Sequence, residues 1–225
     1  MLKNSQTTYQ HLESDPISVA DNHEVNAIWA FIDCHISGFI QYYCSDENPK
    51  KENKISELLI YYFFCCMSEQ MEGFPPYCFA RNPTQYQSER ETDIGVFAVI
   101  PNEKPITLIE FEAKRLSDKS NNKEYVCGER GGIERFKRGV HASHLSKCGM
   151  FAYIQSNNTN YWINKINGWI CELSDVNTDP TIHWSNEEVL HKVYSYSHAE
   201  KYVSSHKRLL SNDIIALRHY FIELY

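Results

Sequence analysis

The chain has no apolar run long enough to cross a membrane: the longest, Leu58 to Met67, falls far below the roughly 18 residues a bilayer requires. The segment Met1 to Asp15 is polar and lacks the hydrophobic stretch of a secretory leader, so a cytoplasmic location is expected. Eight cysteines are present, but none forms C-x-x-C and several lie inside apolar runs, which favours buried reduced thiols over zinc ligands or disulfides. None of the ten histidines forms an H-x-x-x-H pair, so a helical zinc site is not expected. There is no internal repeat and no low-complexity tract. Nor is positive charge in excess, since a formal net charge of -7 argues against a surface that is basic all over.

What is present is enough apolar material, 42% of 225 residues, for one elaborated domain or two tightly joined ones without covalent staples. Charge is unevenly spread. Residues 1–60 carry four Lys/Arg against nine Asp/Glu, a balance of -5, whereas residues 114–147 carry nine Lys/Arg against four acids, a balance of +5. A basic block of that kind is either an ordinary solvated face or a phosphate-binding surface.

Asp21 followed by Glu24 predicts a capping-box start, and Val25, Ile28, Trp29, Ile32, Ile36, Phe39, Ile40 and Tyr43 recur at helical spacing. Ser45 to Lys54 breaks the pattern. A buried helix over 53–71 follows, with Glu57 in its first turn. After the turn signal Gly73-Phe74-Pro75-Pro76, Tyr77 to Arg81 reads as a short strand. Asp93 to Ile100 and Ile106 to Arg115 read as a hairpin joined by a Pro-rich turn. Pairing outward from that turn opposes residues whose numbers sum to about 206, which sets Glu112 against Ile94. A glycine turn, Gly128-Glu129-Arg130-Gly131-Gly132, leads into a basic helix over 131–147, and Met150 to Gln155 is a strand parallel to the last if that helix is a crossover. Tyr161 to Ile170 predicts a helix, Ser185 with Glu188 a short capped one, and Tyr202 to Arg208 and Asp213 to Tyr225 suit strand or helix. The expected class is α/β (α+β), a mixed central sheet flanked by helices.

Glu112 and Lys114 are two residues apart, so on an extended chain both leave one face, while Phe111 and Ala113 leave the other. With Asp93 starting the neighbouring strand, this is a pattern that can hold a hard divalent cation beside a phosphodiester. Asp93 and Glu112 are candidate Mg2+ or Mn2+ ligands. Lys114 could stabilise developing charge, hold the attacking water, or act as a base if its pKa were lowered. Glu110 shares the face of Glu112, one pleat deeper. Glu57 is the favoured auxiliary ligand, because a carboxylate beside so apolar a run needs a partner or a cation; the alternative is an exposed first-turn glutamate. The glycine turn, with Arg130, Arg135, Lys137 and Arg138 around it, is a candidate anion seat whose phosphate contacts would position nucleic acid without reading its sequence. Taken alone, Glu-x-Lys in a strand is an ordinary same-face ion pair. Its weight comes from coinciding with the upstream Asp93, the preceding helix and its acid, and the basic helix that follows.

The pattern Asp93…Glu112-Ala113-Lys114 resembles the signature of the PD-(D/E)XK nuclease superfamily, the restriction-endonuclease-like fold, over about residues 53–155. The resemblance implies a core of helix, mixed sheet, helix and strand, with a helical N-terminal extension over 1–52 and a C-terminal extension over 156–225 packed on that core. It implies metal-dependent endonucleolytic cleavage of DNA, in double-stranded form, with Asp93, Glu112, the backbone carbonyl of Ala113 and the helix acid Glu57 as ligands and Lys114 near the water. Defence against foreign DNA follows by analogy only, and a homodimer would suit cleavage of both strands. Thr92 stands where the named motif has Pro. The rival expectations are a domain that binds nucleic acid or protein on the same fold without catalysis, and a structural subunit docking through the aromatic N-terminal helix.

Overall fold

Seven strands form one mixed sheet: β1 (Tyr77–Arg81), β2 (Ile94–Ala98), β3 (Ile106–Leu116), β4 (Lys147–Ile154), β5 (His191–Tyr196), β6 (Ala199–Lys207) and β7 (Ile214–Glu223). Their order across the sheet is β1-β2-β3-β4-β7-β6-β5. The pairs β3 with β4 and β4 with β7 are parallel, and the others antiparallel. Helices α1 (His23–His35), α2 (Phe39–Cys44) and α3 (Glu52–Gln70) cover one face, and α4 (Gly132–Lys137) and α5 (Thr159–Val176) the other, giving an α+β architecture. This computed structural model describes residues 23–44, 50–70, 76–83, 91–128 and 130–225. Asp21 of the expected capping box, the Gly73-Phe74-Pro75 part of the expected turn, and Glu129 lie outside the described residues. Among the described residues no helix is long and apolar enough to cross a membrane.

Helices on both faces explain why β3 is buried without interruption from Leu108 to Ala113. Ile109, Phe111 and Ala113 face the α1–α3 layer. There Phe111 stacks on Phe151 at 4.7 Å, Phe151 on Tyr220 at 5.7 Å, and Trp29 meets Phe111 edge-on at 5.4 Å. Gly149 makes that stack possible, because a Cβ there would lie 2.3 Å from the Phe111 ring. On the same side Asp33 of α1 accepts hydrogen bonds from the hydroxyls of Tyr196 and Tyr220, each at 2.8 Å, and from Lys201 at 2.7 Å. That one carboxylate ties the first helix to the last three strands.

The structure departs from the sequence reading in four places. The first long helix is broken by a 3-10 turn at Ile36–Gly38. The hairpin leaves its turn with Ala98 opposite Ile106, two residues from the expected pairing, and the slip between Val96 and Phe97 recovers one of them, so that Ile94 pairs with Phe111. The basic helix expected over 131–147 ends at Lys137, since Gly139 (φ 66°) and Ala142 (φ 51°) take left-handed conformations that turn the chain back. Segment 156–225, read as an extension, supplies α5 and three strands of the one sheet.

Behind the sheet a buried polar chain joins α4 to the C-terminal strands. Tyr125 and His219 Nδ1 are 2.9 Å apart, and Ser204 Oγ lies 2.7 Å from both His219 Nε2 and His206 Nε2. His206 Nδ1 is 3.5 Å from Glu188, which pairs with Lys137. One assignment gives each hydrogen bond of the chain a donor and an acceptor, Tyr125 O–H to His219 Nδ1, His219 Nε2–H to Ser204 and Ser204 O–H to His206 Nε2, and leaves the His206 Nδ1–H facing Glu188 without a hydrogen bond. It requires neutral histidines. Burial, and then the neighbouring His206, hold His219 well below its ordinary 6.5. A histidine depressed in the folded state contributes stability that is complete above its unfolded pKa and lost as pH falls below it. The stability of the wild type in urea melts, relative to that of His219→Gln, is therefore expected to fall by about 1.4 kcal/mol per pH unit as pH falls from roughly 6.5 to 5. A difference that stays constant across the window would contradict the assignment.

Candidate active site

β2 stops pairing with β3 at Ile94, opposite Phe111, while β3 runs on to Leu116 with β4 along its other edge. The N–H groups of Ala113 and Arg115 therefore leave by an edge where no strand of the described residues takes them, and backbone donors in such a place must find acceptors. Two carboxylates serve. Asp93 Oδ2 accepts from Ala113 N–H at 2.7 Å, and Glu52 Oε2 accepts from Arg115 N–H at 2.7 Å. Because those amides are two residues apart, the carboxylates are spaced by about 6.6 Å along the edge. The Ala113 carbonyl leaves by the same edge as its N–H and so shares the side of Asp93.

Glu112 projects from the face that α4 covers and is only 1% exposed. Lys114 Nζ lies 3.2 Å and Arg135 Nη1 3.5 Å from its Oε2, and His141 Nε2 is 3.3 Å from Oε1. Oε1 nevertheless has no hydrogen-bond partner among the described residues. Burial, and then the Asp93 carboxylate, push the Glu112 carboxyl up to about 8 against the pull of Lys114 and Arg135. Burial also raises Glu52, with Lys114 opposing and Asp93 adding to it. For Lys114 burial works against the ammonium, but the carboxylates of Glu112, Asp93 and Glu52 outweigh it and hold its pKa above the ordinary value. Lys114 is thus kept as a cation, which argues against the base role left open by its sequence context.

A divalent cation fits this donor set. It offers a buried carboxylate oxygen without a hydrogen bond and a second carboxylate crowding it, both hard donors. Among the described residues no three His, Cys, Asp or Glu side chains enclose a metal ion by themselves. Asp93, Glu112 and the Ala113 carbonyl would be the protein ligands, leaving other positions to water and substrate oxygens, the coordination Mg2+ prefers.

Glu57 is not paired into this cluster: it is taken by Lys54 at 2.7 Å and Arg81 at 3.4 Å. Glu52, in the first turn, is the helix acid that arrives. Glu52 lies on the same helical stripe as the buried Ile55, Ser56, Leu59 and Phe63, and Glu57 does not, a distinction that the almost continuous apolar run hides in the sequence. Glu110 is buried on the face of Glu112. The expected anion seat is filled from within, because Gly128 N–H donates to Glu134 at 2.9 Å. Of its four cations, Arg130 is exposed, Arg135 reaches Glu112, Lys137 is buried against Glu188, and Arg138 is engaged by Glu134 and Asp179. The long helix expected there would have spread these side chains differently, and its early end turns Lys137 inward. Cations gather instead in a cavity of about 580 Å³ at the carboxyl end of β3, lined by Lys51, Lys54, Arg81, Lys114, Arg115 and Lys119 together with Glu52. A second cavity, of about 340 Å³, adjoins it across Arg115 and Lys119. His141 had no sequence signal, for it reaches Glu112 only through the turn at Gly139 and Ala142.

Comparison with protein-family models, curated proteins and solved structures found no match to the chain.

Metal uptake at this site requires Glu112 to lose its proton. With that carboxyl at about 8, Mn2+ affinity is expected to rise with pH up to that value and then level off. Binding at pH 7 should release about one proton, measured by calorimetry in buffers of different ionisation enthalpy. Proton release persisting in Glu112→Gln would move the site elsewhere.

Proposed function

We propose that the chain is a divalent-metal-dependent endonuclease hydrolysing DNA phosphodiester bonds, built on a PD-(D/E)XK, restriction-endonuclease-like plan and serving defence against foreign DNA. The observation that carries this reading is the fork between β2 and β3, where Asp93 is anchored on the Ala113 amide beside the Glu112–Lys114 pair. Asp93, Glu112 and the Ala113 carbonyl would hold Mg2+ or Mn2+, which when bound offsets charge on the scissile phosphate and eases attack by water. Lys114 stabilises negative charge as it grows on the phosphoryl oxygens, and its near-complete burial makes that attraction stronger than it would be in water. Glu52 has one oxygen engaged by Arg115 and a pKa lifted by burial, which suits its other oxygen to take the proton of the attacking water.

The basic cavity beside the site would receive the phosphates flanking the cleaved bond. Two copies, each cutting one strand, would complete a double-strand break.

The test is cleavage of plasmid, linear DNA and RNA with Mg2+ or Mn2+. Glu112→Gln, Lys114→Ala and Glu52→Gln are each expected to slow DNA cleavage by about 100-fold or more, while Glu57→Gln stays near wild type. Equal cleavage by wild type and Glu112→Gln would remove the proposed site.

One observation favours a second reading, a nucleic-acid-binding domain without catalysis: Lys114, Arg135 and His141 already crowd around Glu112 with no metal present. Salt-sensitive DNA binding together with no Mn2+ uptake in calorimetry would select it.

A further inference from the structure

We propose, resting on the metal-dependent reading above, that Arg135 is a counter-charge held against Glu112 until metal arrives, and that it then passes to the scissile phosphate. When ionised, Glu112 is too deeply buried to stand uncompensated. Two cations meet its Oε2, Lys114 at 3.2 Å and Arg135 at 3.5 Å. They are not equivalent. Lys114 feels three acids, Glu112, Asp93 and Glu52, and its side chain is 12% exposed. Arg135 pairs with Glu112 and is 27% exposed, so its guanidinium is held less tightly and has a route to solvent. His141, 3% exposed, has no such route.

The backbone of Arg135 is pinned while its side chain is not. Its N–H donates to the Gly131 carbonyl at 3.0 Å, and its own carbonyl accepts from Val140 at 2.8 Å and His141 at 3.2 Å. A dication between Asp93 and Glu112 would repel both neighbouring cations, and the less confined one yields. A phosphodiester arriving in the same space offers paired oxygens that the planar guanidinium fork matches. The neighbouring cations of α4 cannot substitute, since Lys137 is locked to Glu188 and Arg138 to Glu134 and Asp179.

The consequence is a pair of effects of opposite sign. Arg135→Gln removes a competitor for Glu112 and is expected to tighten Mn2+ binding by about tenfold, yet to slow single-turnover plasmid cleavage by about 100-fold. Arg135→Lys keeps the charge and loses the fork, so Mn2+ affinity should stay near wild type while cleavage slows by roughly tenfold. Affinity is read by calorimetry with Mn2+ alone, cleavage on a separate sample, and folding by circular dichroism. Arg135→Met, which keeps the apolar stem, carries the same comparison if the Gln variant does not fold. Should neither fold, added Mn2+ is expected to restore the structure, and failure to do so counts against the proposal. If wild type binds Mn2+ and cuts DNA but Arg135→Gln binds it no more tightly, Arg135 is not the counter-charge and the metal-dependent reading stands. If wild type takes up no Mn2+ and cuts nothing, both fall.

Discussion

Two backbone amides on β3, those of Ala113 and Arg115, dictate the arrangement of the candidate site. A buried N–H cannot go unmet, and where β2 peels away these two are met by carboxylates from elsewhere in the chain, Asp93 from the end of the hairpin and Glu52 from α3. The strand's alternation then determines what lies beside them. Ala113 faces the aromatic layer, and its neighbours Glu112 and Lys114 must point the other way, towards α4. One vacated strand edge thus brings three acids and a lysine from separate parts of the sequence within electrostatic reach of each other.

Such a cluster opposes folding, and the surroundings show what offsets it. Glu110 and Glu112 lie inside a strand buried on both faces, a setting that disfavours ionised carboxylates. The opposite face of β3 carries tight aromatic contacts, Trp29 and Phe151 on Phe111, with Gly149 allowing the ring to close down. The C-terminal strands add the Asp33 hub on one side and the Tyr125-to-Lys137 polar chain on the other. Apolar packing therefore holds rigid a strand whose polar face is electrostatically frustrated, an arrangement common where stability is exchanged for function. α4 belongs to both regions, with Lys137 in the buried polar chain and Arg135 at Glu112, so disturbance of one reaches the other.

Much of the scaffold was legible because it rests on periodicity. The alternation through Ile106 to Arg115, the helical stripe from Val25 to Tyr43, and the apolar run after Lys54 each name their element from neighbouring residues alone. The same-face placement of Glu112 and Lys114 needed nothing beyond the strand pleat. Positions set by a single residue were harder. A slip between Val96 and Phe97 changes which residue faces Glu112, and a left-handed Ala142, an uncommon conformation for a residue with a Cβ, returns His141 to the site. The glycine turn has an anion-binding form, but Glu134 sits in it, and no local pattern reveals that an amide seat is already occupied by the chain's own carboxylate.

Local spacing was sufficient to establish a mixed α and β chain, a hairpin bearing Asp93 near Glu112, and an acid–lysine pair on one face, because each follows from the fixed repeat of strand or helix. It did not decide between Glu52 and Glu57, nor which cations of the basic block face solvent. Those outcomes hang on where β2 leaves β3, where α4 ends, and which long-range partners claim each charge first: Lys54 and Arg81 take Glu57, and Glu188 takes Lys137. Charge pairing acts through space between residues far apart along the chain, and only the folded packing brings those partners within reach.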